Sequence, residues 1–252
     1  MIVAVDIEQY SPRDNLRQYR AQQLFQEVMT EAVASIGLDR ASWTTQQSGD
    51  GELAILPAET SEVSVVAGLV PALDRILREH NRSLLPEAKV RVRVAIHQGL
   101  VHLTGANGYP GEAVVEVCRL LDAQPLRRAL TEFPRSSVAL IVSRSIFQDV
   151  VRHGYHGLRP DRFAQVPVAV KQLVTDAWIY VPDEDASTIA WERPVAPDPP
   201  TPAAAQDRPA RTETGSTTYH TSNNTNHGPT AIGSGATAIG TVYGSWRPEA
   251  ER

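Results

Sequence analysis

Hydrophobic residues recur with two different periods along the first 182 residues. Spacing typical of an amphipathic helix predicts helices that begin near Ser11, near Val66 and at Ala113. Ser11 is the predicted N-cap of the first helix, since a serine followed by proline is a common helix start. Between residues 90 and 97 apolar and polar residues alternate strictly, which predicts a strand with one exposed face.

Shorter apolar runs predict the remaining strands. These runs are residues 2–5, 43–47, 52–56, 101–103 and 138–142, and a closing pair within 166–182. Gly49, Asp50 and Gly51 separate the second run from the third and predict a tight hairpin turn. The mixed order predicts an α+β fold, with one sheet and helices on one of its faces.

Composition changes after residue 182, which we take as the end of the folded domain, 1–182. Residues 183–252 contain eight of the 18 prolines and nine acidic against five basic residues. We expect a Pro-rich linker over 183–214 and a Gly/Thr/Asn-rich low-complexity tail over 215–252. The tail repeats Thr-Ala-Ile-Gly at 230–233 and 237–240. Two interpretations stay open: a disordered tail, or a short β-forming segment that pairs with a partner protein.

Charge and composition exclude several classes of protein. A net charge of −5 argues against a general nucleic-acid binder, which would carry a basic face. Apolar runs stay well below the roughly 20 residues of a membrane helix, so we expect no membrane span. The opening residues, MIVAVDIE, lack the features of a secretory signal. The single cysteine, Cys118, fits a reducing compartment, and we expect a cytoplasmic protein.

Two aspartates are the first candidates for chemistry. Asp6 ends the first predicted strand, and Asp50 lies at the tip of the predicted hairpin. Mg²⁺ in proteins is commonly held by one or two carboxylates together with substrate phosphates, and two such ions can assist phosphoryl chemistry. The helix that begins near Ser11 would direct unpaired N–H groups at an anion beside the metal. These residues alone leave the question open, because such aspartates also occur in domains without a metal.

Four segments resemble, in order and spacing, the motifs of class III nucleotidyl cyclases. They are VAVDIEQYS, QSGDGELAILP, RVAIHQGLV and GEAVVEVCRLL. The set is most similar to the stand-alone actinobacterial branch. The resemblance implies a ferredoxin-like βαββαβ cyclase-homology core with extra strands, followed here by a disordered C-terminal tail. It also implies conversion of a nucleoside triphosphate to a 3′,5′-cyclic nucleotide and pyrophosphate.

The resemblance assigns roles to five residues. Asp6 and Asp50 match the metal-binding aspartates, and the backbone carbonyl of Ile7 could bind the second of two Mg²⁺ or Mn²⁺ ions. Arg119 matches the arginine that stabilises charge on the reacting phosphate, and Lys171 lies near the family's triphosphate lysine. In this family the aspartates and the arginine of one site come from different protomers. A head-to-tail homodimer is therefore implied, with a closed two-fold axis.

Other positions concern the base and the phosphates. Gln46 falls at one base-recognition position, and the other falls near Asn107 or Gly108. The amide of Gln46 argues against ordinary ATP selection without naming a base. Gln9, Tyr10 and Ser11 match the phosphate-binding loop. Gln9 replaces a glycine of that loop, and we expect it to crowd a triphosphate.

One departure affects the expected activity. The family's transition-state asparagine falls on Val115, which cannot donate a hydrogen bond. Losing one such donor costs roughly 10²–10³ in rate, which slows a cyclase without abolishing it. The leading hypothesis is a nucleotidyl cyclase in signalling or antiviral defence. Whether its substrate is a purine or a pyrimidine nucleotide stays open. A lapsed cyclase that binds nucleotide or a partner protein is the second, and a structural interaction protein without a nucleotide site is the third.

Overall fold

The computed structural model describes residues 1–105 and 108–191. The seven strands of this part are β1 Ile2–Ile7, β2 Thr44–Gln47, β3 Gly51–Ile55, β4 Val92–His97, β5 Val138–Ser143, β6 Ala164–Val170 and β7 Leu173–Tyr180. Its five α-helices are α1 Asn15–Ser35, α2 Glu62–Asn81, α3 Glu112–Leu121, α4 Gln124–Glu132 and α5 Arg144–Asp149. Asn107, the linker from residue 192 and the predicted tail lie outside the described residues.

All seven strands form one mixed sheet in the order β2-β3-β1-β4-β5-β7-β6. Only β4 and β5 pair in parallel among these strands, and the other neighbours are antiparallel. The first six elements run β1-α1-β2-β3-α2-β4 and place their strands in the ferredoxin-like order. The predicted α+β fold with a βαββαβ core and extra strands is confirmed.

Helices cover both faces of the sheet, so the expectation of helices on one face was wrong. Val3 and Val5 pack with α1 and α2, whereas Ala4 and Ala95 face α3 and α4. The small alanines of β1 and β4 let α3 approach the second face closely. The alternation in 90–97 predicted that this face of the strand is polar. In the structure only the two ends of the strand carry polar side chains on this face.

Two local predictions were wrong for identifiable reasons. The N-cap of α1 is Asp14, whose carboxylate accepts the N–H of Arg17 at 2.8 Å, so Ser11 lies outside the helix. The expected strand 101–103 does not form, and β4 ends at His97. Gly99 follows β4 and packs closely on α3, since a Cβ at Gly99 would lie only 2.7 Å from the Cβ of Ala113.

The described chain continues to pack against the domain beyond residue 182. Ala186 is fully buried, and the indole N–H of Trp191 donates to its carbonyl oxygen at 3.0 Å. The guanidinium of Arg128 lies 5.9 Å from the centroid of the Trp191 ring. Residues 183–191 therefore carry tertiary contacts of their own.

None of the helices in the described ranges combines the length and the hydropathy that crossing a membrane requires.

Candidate functional site

Asp6 and Asp50 lie at the same edge of the sheet on adjacent strands. Asp6 is paired with Gly51 across the β1–β3 ladder. One residue further along β1, the N–H of Ile7 donates to the backbone carbonyl of Asp50 at 2.7 Å. The β2–β3 hairpin was predicted with Asp50 at its tip, and the structure forms it there.

Gly51 allows the two strands to approach this closely. A Cβ at Gly51 would overlap the carbonyl oxygen of Val5 and lie 2.8 Å from the Cα of Asp6. Any other residue would push β3 away from β1. The glycine after Asp50 thus sets the spacing between the two aspartates.

Arg93 of β4 holds the carboxylate of Asp6 on the other side. Its Nε donates to Oδ1 at 2.8 Å and its Nη2 to Oδ2 at 2.6 Å, so both carboxylate oxygens are engaged. The two side chains are only 13% and 12% exposed, which makes this a largely buried, bidentate ion pair. The pairing follows from register, because Asp6 faces Arg93 across the β1–β4 ladder.

Burial raises the pKa of Asp6 to about 6, even though Arg93 acts to lower that pKa. Asp50 and Asp122 also raise it by charge repulsion. Asp122 is the C-cap residue of α3. Burial is the largest cause of this shift, and Asp122 is itself paired with Arg127 at 2.8 Å. A nearby cation would favour the charged form of the buried Asp6 carboxylate.

The side chains at this site supply only some of the oxygen ligands that a hard divalent cation needs. In the described ranges no cluster of three His, Cys, Asp or Glu side chains is arranged to hold a metal ion. Asp6 and Asp50 would supply two carboxylates, and Mg²⁺ often takes its remaining ligands from water and substrate phosphates. A cation bound at Asp6 has to share the carboxylate with Arg93 or displace it.

The loop after β1 adopts the conformation expected of a glycine-containing loop. Gln9 has φ of 51°, a left-handed conformation that glycine reaches without strain. The hydroxyl of Tyr10 accepts a hydrogen bond from Gln22 at 2.8 Å. Ser11 is exposed, and its carbonyl accepts from Gln18 at 3.5 Å. Phosphate binding by Gln9, Tyr10 and Ser11 stays a prediction.

Gln46 meets the loop that follows β4. It lies on the exposed strand β2, and a Cβ at Gly108 would lie 2.9 Å from its Oε1 atom. Gly108 itself has φ of 103°. The structure thus brings Gln46 next to the neighbour of Asn107, while base recognition by the pair stays a prediction.

Val115 and Arg119 lie one turn apart on α3 and so share a face of the helix. Val115 is 45% exposed. In the described part of the chain the Arg119 guanidinium has no ion-pair partner. The charges there that act on Asp6 come from Arg93, Asp50 and Asp122, and Arg119 is not among them.

Lys171 lies at the opposite end of the sheet. It occupies the exposed β6–β7 turn with φ of 55°, just before Leu173. When the strand pairing is followed from β1 through β4 and β5 to β7, Asp6 is level with Val181, the residue directly after β7. Eight residues of strand separate these levels, which is about 26 Å. One chain therefore cannot bring Lys171 to Asp6.

Arg93 and Asp122 both act on Asp6, and neither was predicted from the sequence as a residue of the site. Arg93 carried a usable signal, since its place in the alternating strand puts it on a face with other polar residues. Asp122 carried none, because its proximity depends on how α3 packs.

Comparison with protein-family models found no match. No curated protein matches either.

Solved structures similar to this chain are adenylate and guanylate cyclase domains. The guanylyl cyclase Cya2 is 16% identical with a TM-score of 0.48, over 71% of this chain and 89% of that chain. An adenylate/guanylate cyclase/hydrolase from Silicibacter pomeroyi is 19% identical with a TM-score of 0.49, over 73% and 96%. The guanylate cyclase domain of RhGC from Catenaria anguillulae, in complex with GTP, is 14% identical with a TM-score of 0.43, over 71% and 94%.

These proteins are of the class that the four sequence motifs resemble. At these identities and scores they say nothing about activity, so the functional case rests on the side chains of this chain. The actinobacterial branch stays a prediction.

Proposed function

We propose that the chain is a nucleotidyl cyclase that converts a nucleoside triphosphate to a 3′,5′-cyclic nucleotide and pyrophosphate at a homodimer interface. The observation that carries this proposal is the convergence of Asp6 and Asp50 at one sheet edge, held close by Gly51. Burial raises the pKa of Asp6 and the charge of Asp50 adds to this rise, so a bound cation would favour the charged form of Asp6.

In the proposed reaction a bond forms between the ribose 3′-oxygen and the α-phosphorus, and the bond from the α-phosphorus to the departing pyrophosphate breaks. The proton of the 3′-hydroxyl passes to solvent water. Divalent cations bound by Asp6 and Asp50, with the Ile7 carbonyl, would supply activation of the hydroxyl and neutralisation of the leaving group. Arg119 would stabilise charge on the reacting phosphate, and Lys171 would hold the terminal phosphates.

A second copy of the chain explains how these residues meet. Lys171 is at the wrong end of the sheet in its own chain, and Arg119 does not act on its own Asp6. A head-to-tail dimer would place both beside the partner's aspartates and leave two equivalent sites. Exposed apolar side chains beside α3 support an interface with a second chain there: Leu100 is 92%, Leu103 58% and Val115 45% exposed.

A lapsed cyclase is the second candidate, and two observations favour it. Arg93 engages both oxygens of Asp6, which a metal has to overcome. Val115 offers no hydrogen bond where the family has asparagine. Such a protein would keep metal-dependent nucleotide binding without turnover and act through a partner protein.

An assay with each of the four ribonucleoside triphosphates and Mn²⁺ tests the proposal and identifies the base. Cyclic product that is lost in Asp50→Ala and retained in Asp161→Ala is the expected result. Asp161 is a suitable control because it is an exposed aspartate whose one ion-pair partner among the described residues is Arg159. Tight metal-dependent binding without product would favour the lapsed cyclase, and neither binding nor product would leave an interaction protein.

Mixing two inactive variants tests the shared site. Asp50→Ala and Arg119→Ala each damage both sites of a homodimer, whereas their heterodimer has one intact site. After subunit exchange we expect about a quarter of the wild-type activity to return. No recovery in a mixture whose subunits demonstrably exchange would contradict the shared site.

A further inference from the structure

Cationic side chains concentrate beside the N-terminal ends of β4 and β5. Two clefts of about 420 and 400 Å³ adjoin there, with Lys89, Arg91 and Pro134 in the walls of both. The sequence has only two lysines, and Lys89 is the one that the proposed reaction does not use.

The walls are strongly positive on a chain that is negative overall. Together they hold seven cationic side chains and two carboxylates, against a net charge of −5 for the chain. The cations are Arg13, Arg17, Arg78, Arg82, Lys89, Arg91 and Arg135, and the carboxylates are Glu8 and Glu87.

Only some of these cations are neutralised within the chain. Arg78 pairs with Asp74 and Asp183, and Arg17 lies 3.5 Å from a carboxylate oxygen of Asp14. In the described ranges Lys89, Arg82 and Arg135 have no carboxylate within ion-pair distance.

Arg91 and Arg13 are both held in place by contacts with backbone carbonyl oxygens. Nε of Arg91 lies 3.1 Å from Glu8 without forming a hydrogen bond, and its Nη2 donates to the carbonyl of Leu130. Arg13 donates to the carbonyl of Lys89 at 2.7 Å rather than to a carboxylate. Burial lowers the pKa of both guanidinium groups. Backbone contacts thus orient both arginines; Glu8 pairs with Arg91, whereas Arg13 has no carboxylate within ion-pair distance among the described residues.

We propose that this cleft binds a di- or triphosphate group. Cations spread over two adjoining clefts suit a chain of phosphates better than a single small anion. Arginine forks and a flexible lysine are the usual partners of phosphate oxygens. The cleft contains Glu8 and Gln9, directly after the Asp6–Ile7 end of β1. The group could therefore be the terminal phosphates of a nucleotide at the proposed site, or a free polyphosphate effector.

Calorimetric titration of the full chain with sodium tripolyphosphate in EDTA tests the cleft without relying on the proposed cyclase reaction. We expect saturable binding that Lys89→Ala combined with Arg82→Ala weakens tenfold or more, because two charged partners are lost. Both residues are exposed, so folding should survive the change. Arg152→Ala removes an exposed arginine outside the cleft and should change the affinity less than twofold.

Further arms locate the ligand and identify its source. Asp50→Ala should leave tripolyphosphate binding intact, since the cleft is separate from the metal carboxylates. Competition between tripolyphosphate and a nucleoside triphosphate would identify the substrate's own phosphates, and simultaneous binding would identify an effector. Binding of the substrate's own phosphates rests on the proposed function, whereas the titration with tripolyphosphate in EDTA does not.

Three results would overturn the proposal. They are no binding by the wild-type chain at millimolar tripolyphosphate, equal weakening by Arg152→Ala and the double variant, and loss of binding in Asp50→Ala alone. The second would mean diffuse charge attraction, and the third would place the ligand at the aspartates.

Discussion

Replacing Gly51 by alanine should damage both the fold and the candidate metal site. The new Cβ would overlap the carbonyl oxygen of Val5 and lie 2.8 Å from the Cα of Asp6. Real Cβ atoms essentially never come within 3.0 Å of such atoms, and a backbone neighbour cannot rotate away. β3 therefore has to move from β1 where Asp6 and Asp50 meet.

The expected cost is about 2–5 kcal/mol, if one or two hydrogen bonds of the ladder are weakened. Overpacking in a tight site costs about 1–3 kcal/mol. Opening the adjacent rungs of the β1–β3 ladder adds about 1 kcal/mol for each hydrogen bond weakened. Domains are stable by about 5–15 kcal/mol, so the variant should fold with a clearly reduced unfolding midpoint.

Urea unfolding of Gly51→Ala beside Gly49→Ala measures the effect with a matched control. Gly49 lies in the same turn, but a Cβ there would meet nothing within 4 Å. Gly49→Ala should be neutral or stabilising by up to about 1 kcal/mol, because alanine restricts the unfolded chain. Equal stability of the two variants would refute the claim that strand spacing depends on Gly51.

Three other predictions concern different residues. Arg40→Ala should cost about 3–5 kcal/mol in urea unfolding, because it leaves Glu52, whose side chain is fully buried, without its partner; Arg159→Ala, in an exposed pair, should cause no measurable change. Burial lowers the pKa of His97, so its contribution to stability should be present above about pH 6.5 and lost as the pH falls below it. In His97→Gln the melting temperature should no longer show this part of the pH dependence. The same dependence of melting temperature on pH as in the wild type would contradict the prediction. If the chain carries out the proposed reaction, Val115→Asn should raise its turnover by roughly 10²-fold in the product assay; no gain would count against the match between α3 and the helix of the cyclase family.

Most of the elements could be predicted from local patterns, because periodicity and turn residues act over a few positions. The Gly49-Asp50-Gly51 turn determined its own hairpin, and the alternating run determined the position of β4. The error at Ser11 arose because Asp14, three residues later, offers a carboxylate to the same helix end. The expected strand 101–103 does not form, and the segment after β4 instead packs at Gly99 against Ala113 of α3.

The candidate site was predictable only in part. The motifs pointed to Asp6 and Asp50 because their strand-end and turn positions are local features. The bidentate contact from Arg93 depends on the register of β1 against β4, which the sequence of either strand leaves open. The effect of Asp122 on the pKa of Asp6 depends on how α3 packs over the sheet.

The sequence by itself determined the order of elements from β1 to β4, the change in composition near residue 182, and the two aspartates, one near the end of β1 and one in the hairpin turn. Tertiary structure decided that helices cover both faces, that Lys171 lies far from Asp6, and that cations from separate segments line one cleft. Local preferences act between near neighbours along the chain. Charges and cavities, in contrast, depend on distances that only the packing of distant segments establishes.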